Sequence, residues 1–381
     1  MNPQEQTNFS FKRILLIGGA FASYTIGAGF ATGQEILQFF GSWGHPLQYV
    51  AILVSLLITV YYTSSCYRTG QRMNFDNQSD CFRYYCGPYI AWIFDIFALA
   101  LVFGLLISMF SGVGTAVNQY FDLPKVSGAV MVGIAAALVV CAGLRIVEQV
   151  LGYLGFVIIG YVIIISLVAM FRSPLSLQES TQNLLSYVQT GDVLQAGFLG
   201  RWHNVWVGAM TYPGLCLICS VPFLPALGRN TRGRAEGISS GIFSGLFLHS
   251  GVLLGVTAIL LYIDQIVQGR GQIPILSLIQ IIQPNVAWTF AVVLIVGIFT
   301  NIIGYLWMLS GRFFEDKSKG QRIMVIGLVA VGVIGGTILP FSQIVNLLYP
   351  FAGLVGIILM VFMTIKDIRG DDTVREISKQ G

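Results

Sequence analysis

The sequence predicts an all-α polytopic membrane protein of ten transmembrane helices. They form a five-plus-five inverted repeat in which helices one and six are discontinuous. Three observations predict this. The 381 residues are 55% hydrophobic and only 10% charged, with mean hydropathy +0.76, whereas a soluble domain carries about 25% charged residues. Lys and Arg gather on alternate connections between the apolar runs, which marks cytoplasmic loops. The first and sixth runs, one opening each half, are interrupted by glycine or proline near their middles.

By length and hydropathy the spans are 13–41, 45–66, 89–117, 126–143, 150–171, 204–226, 237–263, 286–309, 322–339 and 342–365. The segment before them, Met1 to Phe11, is polar, and the first apolar run is too long for an h-region, so no cleavable leader is expected. Span one contains Ile26-Gly27-Ala28-Gly29. Each of its two glycines costs about 1 kcal/mol relative to alanine in a helix. A loosened backbone at that depth is tolerated only where it lines a cavity or is buried in protein. It would offer free N–H groups, free carbonyls and two helix ends to a solute. Read alone, the same glycines also suit a small-residue packing face. Span three is longer than a bilayer requires, so a tilt is expected.

With the N-terminus inside, 17 of the 21 Lys and Arg residues fall on inner segments, leaving only Lys125, Arg172, Arg201 and Arg270 outside. Five spans precede the long 172–203 connection and five follow it. Five is odd, so the second half enters from the opposite face. The expected division is a cytoplasmic N-terminus (1–12), a first five-helix repeat (13–171), an extracellular connection (172–203), a second inverted repeat (204–365) and a cytoplasmic tail (366–381). Span six reads Val207-Gly208-Ala209-Met210-Thr211-Tyr212-Pro213-Gly214, followed by Pro222 and Pro225. Proline removes a helix hydrogen bond and clashes with the preceding turn, so the interruption is expected at 211–214.

The two long outer connections are apolar. Segment 173–203 suggests a surface helix. Segment 264–285 fits either a lid dipping into an outward cavity or an interfacial helix. The charged tail from Lys366 reads as disordered.

The pattern of five plus five spans, broken first and sixth helices and an apolar loop after span seven resembles the LeuT-type fold of the amino acid–polyamine–organocation superfamily. The run Gly19-Ala20-Phe21-Ala22-Ser23-Tyr24 through Gly27-Ala28-Gly29-Phe30-Ala31-Thr32-Gly33-Gln34-Glu35 resembles the bacterial YkvI-type membrane proteins. The resemblance implies a Na+ site between the first-helix break and helix eight. Its ligands would be the carbonyls of Ser23 and Ile26, the Gly297 carbonyl, the Thr300 hydroxyl and the Asn301 side chain. Asn301 stands where the family uses a hydroxyl, and its amide oxygen also suits a hard cation. The resemblance further implies that spans 1, 2, 6 and 7 move against a scaffold of 3, 4, 8 and 9.

Solute contacts are expected around the two breaks, at Tyr24, Gly27, Ala28, Gly29, Phe103, Trp206, Thr211, Tyr212 and Gly214. The aromatics among them suit an apolar or quaternary-ammonium group, although aromatics at helical spacing also serve packing. Three ionisable residues inside spans are gating or proton candidates. Glu35 lies roughly 9 Å beyond Gly29 along a helix, as a gate or cation attractor, or else a carboxylate snorkelling to the interface or pairing with a loop Arg. Asp95 fits a structural pair with Arg83 or Arg145. His249, at mid-span seven, fits either a proton relay or a neutral ring bonded to Ser244 or a backbone carbonyl.

Other chemistries find no footing. The sequence has no HExxH, P-loop or nucleotide fingerprint. Cys66, Cys81, Cys86 and Cys141 lie toward the inner side and Cys216-x-x-Cys219 sits in an apolar run, so disulfides are not expected. No paired nucleophile and base points to an enzyme. The expectation is a secondary transporter in a bacterial inner (plasma) membrane, with both termini cytoplasmic. It would move a small amino-acid-like or amine solute coupled to Na+ or H+. Its partners would be that solute and the lipid bilayer, with no nucleic acid and no cofactor beyond Na+ as coupling ion. A non-transporting sensor or partner subunit of the same fold, or an ion channel, are the rival readings.

Overall fold

The computed structural model describes residues 10–26, 28–75, 80–173, 175–193, 195, 197–198, 202–268, 274–338 and 341–369. Gly27, Arg201, Arg270 and the tail beyond 369 lie outside them.

The first apolar run folds as three short helices, α1 (Phe11–Thr25), α2 (Ala28–Thr32) and α3 (Gln34–Phe39). Next come α4 (Leu47–Met73), the short α5 (Asp80–Cys86), α6 (Pro88–Phe121), α7 (Lys125–Cys141) and α8 (Leu144–Phe171). The connection that follows carries α9 (Leu177–Thr190) and a two-residue antiparallel pair, β1 (Gly197–Phe198) with β2 (Trp202–His203). The second half holds α10 (Val205–Ser220), α11 (Phe223–Gly228) and α12 (Arg234–Leu261). After these come α13 (Ile263–Gln268), α14 (Pro274–Ile282), α15 (Ala287–Gly311), α16 (Lys319–Ile338) and α17 (Phe341–Arg369).

Among the described residues, seven helices are long and apolar enough to cross a bilayer: α4, α6, α8, α12, α15, α16 and α17. Helices α7 and α10 are apolar but shorter. The outward faces are apolar. On α16, Ile323, Ile326, Ile334 and Ile338 are all more than 60% exposed. Apolar stripes of that extent need lipid, not water, as their neighbour.

Polar side chains point inward instead. Ser23, Ser55, Thr300, Asn301, Ser240 and Ser244 are fully or almost fully buried. Small residues let the helices that carry them approach closely. A Cβ on Gly155 of α8 would strike the Gly19 carbonyl oxygen of α1, and one on Gly356 of α17 would strike that of Gly214 in α10.

Helix α12 packs on α4, α1 and α8, and α10 packs on α4 and α17. On the other side α6, α7, α15 and α16 pack on one another. Helices α8 and α17 touch both groups, α8 through α1 and α15, and α17 through α10 and α6.

The outer connections are ordered where they are described. Helix α9 starts in a capping box, with Ser176 accepting from the Glu179 amide and Glu179 accepting from the Ser176 amide. Helix α14 is folded into the molecule and packs on α2, α8, α12 and α15, with Ile275, Leu278 and Ile279 buried. A Cβ on Gly33 would lie 2.8 Å from Ile275. Helix α14 therefore lies against α2, the second part of the first span.

Candidate functional site

The first helix stops where its glycines begin. Helix α1 ends at Thr25, and Ile26 turns extended (φ −78°, ψ 91°) while its amide still bonds the Ala22 carbonyl. The chain re-enters a helix at Ala28. It bends again at Gly33, whose φ of 83° is left-handed and favours glycine.

The carbonyls near this end are taken by α15. The Thr300 hydroxyl lies 3.1 Å from the Ser23 oxygen and 2.8 Å from that of Gly297. Asn301 Nδ2 lies 3.1 Å from the Ser23 oxygen, 2.5 Å from that of Ile26 and 3.2 Å from that of Gly297. All five groups expected to hold a cation therefore converge from two helices whose contacting residues are 275 to 278 positions apart, and among the described residues the buried Asn301 Oδ1 has no partner. With the amide turned over, Oδ1 would join three carbonyls and a hydroxyl, an all-oxygen set suited to a hard cation.

Helix α10 departs from expectation. It runs unbroken through Thr211, Tyr212, Pro213 and Gly214 to Ser220, and the interruption comes at Val221-Pro222, before α11. A single proline removes one backbone donor, which a helix inside a membrane protein can absorb. Pro222 and Pro225, three positions apart, remove two donors within one turn, and the helix ends there. Thr211 and Gly214 consequently serve packing: the Thr211 hydroxyl bonds back to the Val207 carbonyl at 2.6 Å, and a Cβ on Gly214 would lie 2.5 Å from the Gly353 oxygen of α17.

Tyr24 joins the two interruptions. Its hydroxyl donates to the Cys219 carbonyl at 2.8 Å, just before the turn into α11, and its ring stacks on Phe223 at 4.7 Å. Tyr305 meets the same ring edge-on at 5.5 Å.

A second polar cluster lies on the other side of the first break. Glu35 on α3 is only 5% exposed, and among the described residues it makes no ion pair. A Cβ on Gly29 would lie 2.6 Å from Glu35 Oε2 and 3.2 Å from the Tyr349 hydroxyl of α17. The Tyr349 hydroxyl and the Glu35 carboxyl thus both lie against Gly29. Tyr212 is fully buried between Phe39, Phe40 and His249, and its hydroxyl has no hydrogen-bond partner among the described residues.

The other two ionisable candidates are already committed. Asp95 pairs with Arg312, at 2.6 Å from Nη2 and 3.0 Å from Nε, and not with Arg83 or Arg145. Arg83 instead faces Asp80 at 3.7 Å. The reason is the packing of α15 on α6, which brings Arg312 beside Asp95. His249 Nδ1 bonds the Gly245 carbonyl at 3.0 Å and Nε2 bonds Ser55 at 2.9 Å. A carbonyl only accepts, so Nδ1 carries a proton, while the Ser55 hydroxyl can donate to Nε2 or accept from it. The ring is satisfied on both sides. Ser244, the partner expected from sequence, bonds Ser240 and Tyr67 instead.

Phe103 and Trp206 leave the site. Phe103 is 37% exposed and continues the outward apolar stripe of Trp92, Ile96 and Ala100 on α6, spaced for one helix face. Trp206, 51% exposed, sits in the first turn of α10. Backbone is described from Ala28, where α2 begins; Gly27 lies outside the described residues.

Sequence reasoning missed Tyr349, Tyr305 and the paired Gly-x-x-Gly segments at 152–155 and 353–356. The glycine pairs carried a usable signal, since the same spacing recurs in spans five and ten. Tyr349 carried little beyond standing before Pro350 in an apolar run. Also unforeseen is a cavity of about 470 Å³ below the second interruption, lined by Pro222, Pro225, Asn230, Trp307 and Arg312 among others.

No protein-family model matches the chain. An uncharacterized protein, YyaD, of Bacillus subtilis (strain 168) is 26% identical over 366 residues, covering 94% of this chain and 96% of that protein. The membrane protein YkvI of the same organism, also described as uncharacterized, is 22% identical over 369 residues, 93% and 95% of the two chains. A Na+-coupled sialic acid symporter superposes with TM-score 0.68 at 11% identity, over 93% of this chain and 78% of that one. This chain has the LeuT-type fold. The same fold relates it to Mhp1, a nucleobase-cation-symport-1 family transporter (TM-score 0.58, 14% identity, 91% and 78% covered). It likewise relates it to a manganese transporter of Eremococcus coleocola (TM-score 0.57, 16% identity, 95% and 80% covered). With YkvI as a relative and apolar helices of spanning length, this LeuT-type chain is a multi-pass membrane protein.

Proposed function

We propose that this protein is a secondary active transporter that moves a small amino-acid-like or amine solute by alternating access, driven by a Na+ or H+ gradient. The observation that carries the reading is the meeting of two interrupted helices inside the bundle, with Tyr24 bonded across them to Cys219. Half-helix ends offer a solute unpaired backbone groups and dipoles at a depth where lipid offers none. The structural neighbours are solute symporters and a metal transporter, which agrees with this use of the fold.

The packing supports ten spans in two inverted halves. When each span n is exchanged with span n + 5, several helix contacts map onto one another. The α1–α8 pair becomes α10–α17, α1–α12 becomes α10–α4, and α6–α16 becomes α15–α7. The glycine crossings obey the same exchange, Gly19 with Gly155 becoming Gly214 with Gly356. In this reading both termini face the cytoplasm of a bacterial cell.

Helices α1, α4, α10 and α12 form the moving group and α6, α7, α15 and α16 the scaffold, with α8 and α17 bridging them. The carbonyls of Ser23, Ile26 and Gly297, the Thr300 hydroxyl and the Asn301 amide oxygen would hold Na+ where α1 meets α15. A cation there ties the moving group to the scaffold, so its gain and loss bias the two access states.

The test is a thermal-shift screen of amino acids, amines and osmolytes with and without Na+, followed by uptake of any stabilising solute into proteoliposomes. Gly29→Leu should insert and fold but lose uptake, because a side chain there meets Glu35 and Tyr349. Wild-type uptake by that variant would count heavily against the site. Stabilisation of the wild type without flux would favour the sensor reading.

A further inference from the structure

We propose that Glu35 is a proton-carrying site, separate from the candidate Na+ site, protonated in this closed conformation and emptied when α2 and α3 move away from α10 and α17. The proposal rests on the transporter reading only in equating that opening with the transport movement.

The argument begins with what surrounds the carboxyl. Glu35 is buried and makes no ion pair among the described residues, and a lone carboxylate inside a membrane protein is costly unless a cation or a proton neutralises it. The ionisable groups around it come from several helices: Tyr212, Cys216 and Cys219 on α10, Tyr305 on α15 and Tyr349 on α17. Helix α12, which packs on α3, contributes His249, whose ring stands 6.2 Å from that of Tyr212 and whose two nitrogens are bonded to Gly245 and Ser55. None of these forms an ion pair with Glu35.

The neutralising species must therefore come from outside. A methyl carbon on Gly29 would sit 2.6 Å from Oε2 and 3.2 Å from the Tyr349 hydroxyl, so this face of the carboxyl is closed to an alkyl group. A proton occupies no such volume, and a protonated-carboxyl band in the infrared separates it from a small cation held against a carboxylate. The Tyr349 hydroxyl can donate to a carboxylate or accept from a carboxylic acid, so it satisfies Glu35 in both states. The proton enters from water on one side, resides on a Glu35 oxygen while the cluster is closed, and leaves to water after opening. The Glu35 carboxylate is regenerated and no other group changes charge. Asp95 and His249 cannot share this role, since each is held by its own partners.

Infrared difference spectra of the purified full-length protein in nanodiscs should show a protonated-carboxyl C=O band at neutral pH that is missing in Glu35→Gln. Absence of any such band assignable to Glu35 would overturn the proposal. If Glu35→Gln does not fold, Tyr349→Phe serves instead: the band should persist and shift in frequency as its hydrogen bond is lost, and an unchanged band overturns the pairing.

Opening is read separately, by maleimide labelling of the buried Cys216 and Cys219 resolved by mass spectrometry. Labelling, taken relative to that of the denatured protein at the same pH so that thiol ionisation cancels, should rise with pH in the wild type and lose that dependence in Glu35→Gln. Labelling of the wild type that ignores pH would sink the coupling of proton to opening. If the protein transports nothing, the band and the pH-dependent labelling remain while no solute is ever carried, so the two readings fail in different ways.

Discussion

Asp95 and Arg312 are 217 positions apart, yet they form the best-formed ion pair among the described residues, with three N–O contacts between 2.6 and 3.2 Å. Hydrogen bonds to charged groups contribute about 1.5–3 kcal/mol each way a partner is removed. Asp95→Ala should therefore lower unfolding stability in detergent by about that amount, while adding Arg312→Ala should cost little more. Additive losses in the double variant would show that the two residues do not act as a pair. That an acid inside span three needs a basic partner was readable from sequence. Which arginine supplies it was not, because no local spacing ties residue 95 to residue 312. His249 makes the same point: a backbone carbonyl partner was foreseeable from helix geometry, whereas Ser55 arrives from a different helix.

The elements are held at close range by glycine. Helices α1 and α8 cross at Gly19, Gly152 and Gly155, and α10 and α17 cross at Gly214, Gly353 and Gly356. At Gly19, Gly155, Gly214 and Gly356 the nearest neighbour of the missing Cβ is backbone, which cannot rotate away as a side chain can. Gly214→Ala should thus destabilise the protein by about 3 kcal/mol, the upper end for overpacking, with a matching drop in its thermal midpoint. A neutral result would mean that α10 and α17 can separate freely. At this scale the first interruption was legible, since two glycines and the later Gly33 loosen one short stretch. The second was misplaced by about two turns, because Pro213 looks as disruptive in sequence as Pro222. One isolated missing donor is absorbed by a packed helix, whereas two in one turn are not.

For the whole molecule, the asymmetry of Lys and Arg predicts an orientation that direct labelling can check. With native cysteines replaced by serine, a cysteine at exposed Asp192 should react with a membrane-impermeant maleimide on intact cells. One at exposed Lys319 should react only after permeabilisation. The opposite pattern would invert the topology.

Composition and run lengths alone determined that the chain lives in a bilayer and roughly where each helix begins, and the glycines of span one pointed to its interruption. These are properties of local segments meeting lipid or water, and each segment carries its own signal. Convergence of Ser23, Ile26, Gly297, Thr300 and Asn301 was anticipated only through family resemblance. The partner of Asp95, the turn at Val221-Pro222, the Gly29–Glu35–Tyr349 cluster and the lipid-facing position of Phe103 were decided by tertiary structure. Those depend on which helix faces lie against each other, and inside a membrane every face is apolar enough that hydropathy no longer tells core from surface.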